Sequence, residues 1–94
     1  MRPYEGVFIV DPDLTNEATK KAIQQIQEVI IKNGGQVASV EEWGKRRLSY
    51  RIQKKWDGYY TLFQFQMEPP LIPKIEGTYR LNDQILRHLI IKKS

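Results

Sequence analysis

A chain of 94 residues that is 40% hydrophobic is long enough for one domain, residues 1–94, with a two-layer core, and too apolar for intrinsic disorder. It has no cysteine, which excludes disulfide staples and thiolate chemistry and favours a cytoplasmic or organelle-matrix setting. The formal net charge of +4 is unevenly placed: residues 43–55 carry six cations and no anion, whereas residues 1–42 carry four cations and seven anions.

No apolar run reaches the roughly 20 residues of a membrane span. The opening MRPYEGVFIVDPDL has no small-residue cleavage site, so it does not read as a signal peptide, and no membrane partner is expected. Residues 4–10 (YEGVFIV) are aromatic and β-branched and stop at Asp11-Pro12-Asp13, as a strand does. Apolar side chains on both sides of its alternation place it in the middle of a sheet. From Leu14 the period changes to that of a helix over about 15–33. Thr15 is its N-cap, Glu17 lies in the first turn, and Ala22, Ile23, Ile26, Val29 and Ile30 form the buried stripe. Asn33-Gly34-Gly35 closes it.

Residues 36–43 and 46–53 read as extended. They make either one long strand kinked at Gly44 or the two arms of a small excursion. Lys54–Gly58 is the expected turn, because Asp57-Gly58 is a strong hairpin signal. Residues 59–67 (YYTLFQFQM) form the next strand, with Tyr59, Thr61, Phe63, Phe65 and Met67 on one face and Tyr60, Leu62, Gln64 and Gln66 on the other. A short helix over 70–80, with Pro73 in its first turn, and a last strand over Ile85–Lys92 complete the chain.

The order β-α-β-β-α-β predicts an α+β, ferredoxin-like fold: a four-stranded antiparallel sheet with both helices on one face. The bulkier row of residues 59–67 belongs under the helices. That leaves Val7, Ile9, Tyr60, Leu62, Gln64, Leu89 and Ile91, with Arg87, on an open face too apolar for bulk water and therefore suited to a protein partner. The cationic stretch, Lys45, Arg46, Arg47, Arg51, Lys54 and Lys55, makes a local field that attracts a polyanion; the competing reading is a solvated hairpin.

Catalytic constellations are missing. One histidine and no cysteine rule out Cys-His pairs and the common zinc patterns. His88 lies inside a strand and reads as a packed residue. Asp11 and Asp13 flank a proline and suit a turn. Glu41 and Glu42 are strand neighbours whose side chains diverge. No glycine motif cradles a phosphate. The expectation is a binding protein with no cofactor, no metal and no small-molecule substrate.

Several stretches together carry a resemblance: the opening Met1-Arg2 with Tyr4-Glu5, the helix ending KNGG, the segment EEWGKRRLSYRIQK, DGYY, and RLNDQILRHLIIK. Most specific is EE-x-G-x-RRL-x-Y-x-I-x-K, met here by Glu41, Glu42, Gly44, Arg46, Arg47, Leu48, Tyr50, Ile52 and Lys54. Over essentially its whole length the chain resembles the S-six family of small-subunit ribosomal proteins, bacterial or organellar. The resemblance implies a structural constituent of the small ribosomal subunit. Such a protein binds 16S-type ribosomal RNA of the platform together with the S-eighteen protein, which here would cover the open sheet face. Arg51 stands where the family often has proline, and the sequence stops soon after the last strand, without the tail of many members. Arg2, Arg80 and Arg87 are candidate second RNA contacts beside the basic block. The alternative with the same element order is an RRM-like single-stranded RNA binder. Its longer motif fits Asp57–Gln64 poorly, with Asp first, Thr61 where the second ring belongs, and Gln last.

Overall fold

The computed structural model describes residues 1–93. Its elements follow the expected order: β1 (Arg2–Val10), α1 (Asn16–Lys32), β2 (Gln36–Ile52), β3 (Lys55–Met67), α2 (Ile72–Arg80) after a 3-10 turn at Pro69–Leu71, and β4 (Ile85–Lys92). One four-stranded sheet in the order β2-β3-β1-β4 joins them, with antiparallel pairing throughout. β1 is central, as its two-sided apolar pattern requires, and β2 and β4 are the edges.

α1 starts where its side chains supply what the backbone lacks. The Thr15 hydroxyl accepts from the Ala18 N–H at 3.2 Å, and Glu17 meets the positive end of the helix dipole. It stops where the Gly35 N–H returns to the Ile30 carbonyl at 2.9 Å and the Asn33 amide donates to the Val29 carbonyl at 2.8 Å. α2 has Pro73 in its first turn, where the missing N–H would have no partner anyway.

The core lies between the sheet and the two helices. Phe8 is central, edge-on to Phe63 at 5.4 Å and to Tyr79 at 4.8 Å between ring centroids. Ile26 and Ile30 of α1, Ile75 of α2, and Phe65 and Met67 of β3 fill the space around these rings. The Tyr79 hydroxyl donates to the Ile26 carbonyl at 2.7 Å, which ties α2 to α1. Burial pushes its pKa well above the ordinary tyrosine range, so it stays a neutral donor. His88 packs here as expected, stacked on Phe8 with its Nε2 3.3 Å from Glu76 Oε2.

Residues 36–52 form one strand, which settles the choice left open by sequence. β2 is bent by register shifts at Val37/Ser39, at Glu42/Gly44, where Gly44 has φ +84°, and again between Arg47 and Ile52. The expected turn at Lys54–Gly58 is wrong. The chain reverses at Gln53-Lys54, both at positive φ (49° and 66°), while Ile52 pairs with Lys55. This is a two-residue type I′ hairpin without glycine. Asp57 and Gly58 lie inside β3. Gly58 serves packing instead: a Cβ there would lie 2.3 Å from Ile9 Cγ2, and Leu48 closes over the same spot.

Candidate nucleic-acid and partner interface

The helix-free face of the sheet divides into two parts. At the hairpin end, Ile9 of β1, Leu48 of β2 and Leu86 of β4 form a second, small apolar cluster, with Ile52 and Tyr60 against it. Above it opens a cavity of about 270 Å³ lined by Val7, Leu48, Tyr50, Tyr60, Arg87 and Leu89 among others. At the other end the face is polar: Lys93 donates to Gln64 at 2.6 Å and pairs with Glu5 at 3.8 Å.

All seven residues expected on the open face lie on it by register, through the pairs Val7 with Leu62, Val7 with Leu89, Ile9 with Tyr60, and Glu5 with Gln64 and Ile91. They are not equally available. Ile9 and Leu62 are each only 8% exposed, whereas Leu89 and Ile91 are 56% and 52% exposed. Sequence reasoning missed Leu48 and Leu86 as contributors. Leu48 was legible in the Leu48-Tyr50-Ile52 alternation. Leu86 was not, because it reaches this face only through the irregularity that lets Val10 pair with Ile85 while Ile9 pairs with Arg87.

The basic residues converge on the hairpin. Lys45, Arg46 and Arg47 pair with Tyr59, Gly58 and Asp57, and Lys54 sits on the turn. Lys45, Arg46, Arg47, Arg51 and Lys54 are exposed, and none makes an ion pair among the described residues. Arg87 joins them from β4, its guanidinium 5.8 Å from the Tyr50 ring centroid. Lys55 differs from the other five cations of the block. Its ammonium binds Asp13 and lies 3.5 Å from Asp11, clamping the β1–α1 loop to the start of β3. The hydrogen bond from Lys55 holds the Asp13 carboxyl below its ordinary range, and the same bond holds the Lys55 ammonium above its own. Tyr59 secures the hairpin's base by donating to Glu42 Oε1 at 2.9 Å, and its own pKa is raised, first by that bond and then by partial burial.

Two expected cations stand apart. Arg2 pairs with Met67 at the far end of a nine-pair ladder from Val10–Tyr59, roughly 27 Å away at the usual strand rise. Arg80 closes α2 at the hairpin end of the sheet but in the helix layer.

The same architecture, with a TM-score of 0.93, is found in the crystal structure of 30S ribosomal protein S6 from Thermotoga maritima. That protein is 27% identical, and the match covers 98% of this chain and 87% of that one. The family model described as Ribosomal protein S6 matches residues 3–92. The chain belongs to the ribosomal protein S6 family. Among relatives described as small ribosomal subunit protein bS6, that of Caldanaerobacter subterraneus subsp. tengcongensis is 42% identical over 92 residues, covering 98% of this chain and 97% of the relative. The Clostridium novyi protein is 45% identical over 91 residues, covering 97% and 96%. Membership of the S6 family makes this a structural ribosomal protein and not an enzyme. No helix among the described residues is long and apolar enough to cross a membrane.

Proposed function

We propose that this chain is built into the small subunit of a bacterial ribosome, in the cytoplasm, by two neighbouring surfaces. The basic hairpin end contacts platform ribosomal RNA, and the open sheet face receives the S-eighteen protein. The observation that carries this reading is their adjacency. Leu48, Tyr50 and Ile52 of the hairpin line the cavity together with Arg87, and the same hairpin carries five exposed cations without an ion pair among the described residues. Phosphate contacts supply affinity and register, and the apolar face supplies the protein–protein contact. Arg2 and Arg80 are separate, second contacts, since neither lies on the open face by the hairpin.

The RRM-like alternative loses ground on geometry. That module stacks bases on two aromatic rings of its central strands. Here β1 offers Val7 and Ile9, β3 offers only Tyr60 opposite β1, with Trp56 lying beyond the end of their ladder, and Phe63 and Phe65 are buried beneath the helices.

The test is the double variant Arg46→Glu/Arg47→Glu. Both side chains are exposed and neither supports the core. Thermal stability should stay close to wild type, while assembly with S-eighteen on a central-domain RNA transcript should fall sharply and show a shallower salt dependence. Unchanged RNA binding at physiological salt sinks the hairpin as the RNA contact.

A further inference from the structure

We propose that Trp56, with the two guanidinium groups held against it, is a stacking platform for one unpaired base of the bound RNA. The proposal rests on the reading of the hairpin end as the RNA-contacting element and names the chemistry that end recognises.

Trp56 is the second residue of β3, just beyond the Gln53-Lys54 turn, and is 48% exposed. A tryptophan is the largest apolar side chain and is highly buried on average, so a half-exposed indole at a charged tip calls for a use. The Cζ of Arg47 lies 5.5 Å from its ring centroid and that of Arg51 lies 5.8 Å away. Neither guanidinium has a carboxylate partner among the described residues.

The backbone explains how two arginines reach one ring. Between the pairs Arg47–Asp57 and Ile52–Lys55, four residues of β2 stand opposite Trp56 alone. The resulting irregularity brings the residue before it and the last residue within it, Arg47 and Arg51, to the same indole.

Three flat, weakly hydrated groups are therefore gathered at the tip and restrained by their mutual contact. Phosphate binding alone would not need the ring, because lysines suffice for point-charge contacts. A paired helix keeps its bases stacked inside, and its deep groove is closed to side chains. A ring combined with guanidinium planes instead suits an unstacked base, whose two flanking phosphates would find Lys54 and Arg46 close at hand.

The experiment uses the whole chain carrying Trp43→Phe, which leaves Trp56 as the only tryptophan of the two in the sequence. S-eighteen is added first, and a central-domain RNA transcript second. Trp56 fluorescence should be quenched by the RNA and not by S-eighteen alone. In the otherwise native chain, Trp56→Ala should weaken RNA binding about tenfold to a hundredfold at fixed salt, with the slope of log K against log salt unchanged. Trp56→Phe should recover most of the loss. The proposal is overturned if Trp56→Ala binds within about twofold of a wild type that itself binds, a margin well under the stacking effect expected. It is also overturned if S-eighteen alone quenches the ring, or if a fully paired duplex of equal length quenches it equally. Failure of the underlying reading looks different: the wild-type complex would not bind the transcript, and Arg46→Glu/Arg47→Glu would change nothing.

Discussion

Lys55 belongs by sequence to the cationic stretch, yet its charge is turned inward. With Asp13 bound and Asp11 at 3.5 Å, it fastens the β1–α1 loop to the hairpin's second strand, and its field is largely cancelled before it reaches a phosphate. The clamp leaves a pH signature with a definite sign. The Asp13 carboxyl is held below its ordinary 3.8 by the Lys55 hydrogen bond and charge. Its contribution is therefore present above the unfolded value and lost as pH falls through the depressed folded value. The Lys55 ammonium is held above its ordinary 10.5, mainly by the hydrogen bond to Asp13. Its contribution is present below the unfolded value and lost as pH rises through the raised folded one. The pair thus stabilises the fold between about pH 5 and pH 9. In urea titrations, Lys55→Gln should unfold at lower urea than wild type across that window, and the two curves should converge toward pH 2. A gap as wide at pH 2 as at pH 7 would remove the clamp from the account. The same variant should leave the salt slope of RNA binding intact, in contrast to the exposed arginines.

The β2–β3 hairpin shows what a strand pair gains from its irregularities. The shifts in β2 carry Leu48 and Ile52 onto Ile9 and Tyr60, so the basic tip is anchored by its own apolar row while its cations face outward. The tight turn of Gln53 and Lys54 has a cost, since both hold left-handed backbone angles without being glycine. Lys54→Gly should relieve part of that strain. The expected gain is up to about 1 kcal/mol after the added flexibility of the unfolded chain is counted, or roughly 4–8 °C in Tm for a domain this size. If Lys54 meets a phosphate, the same variant should lower the RNA salt slope by about one. A lower Tm would mean that the lysine side chain supports the turn in a way its backbone angles do not reveal.

This hairpin also marks where sequence reasoning stopped working. α1 and β4 were legible almost to the residue: the helix by its period and its stops at Thr15 and Asn33-Gly34, the strand by its run of apolar residues. The turn was misplaced because Asp57-Gly58 carries the usual local signal, whereas the glycine there answers a tertiary demand, the approach of Ile9 from another strand. The basic block was visible as a block. That Lys55 would be withdrawn from it by carboxylates some forty residues earlier was not, since only the fold brings them together. Trp56 likewise gave no signal until Arg47 and Arg51 were seen against its ring.

On the scale of the whole molecule, one face of the sheet holds the fold and the other is the face proposed to meet a partner. One face is closed by two helices around Phe8, Phe63 and Tyr79. The other keeps a small cluster of its own and leaves Leu89 and Ile91 of the edge strand β4 more than half exposed. Side chains this exposed add little to the stability of the isolated chain, so apolar groups here are better explained by a surface that becomes buried on assembly. Replacing both with glutamine separates the two roles, because it removes the apolar area without adding charge near Glu5 or the hairpin. Leu89→Gln/Ile91→Gln should shift the thermal midpoint by no more than a few degrees. Calorimetric titration should show S-eighteen affinity lower by at least about tenfold, the loss expected when anchor residues are truncated at the centre of an interface. The salt slope of RNA binding, measured with S-eighteen in excess, should remain that of wild type because no cation has been touched. Full S-eighteen affinity in this variant would move the partner away from Leu89 and Ile91 and toward the Leu48, Tyr50 and Ile52 side of the cavity. A large fall in the melting midpoint would instead make Leu89 and Ile91 structural residues of the isolated chain.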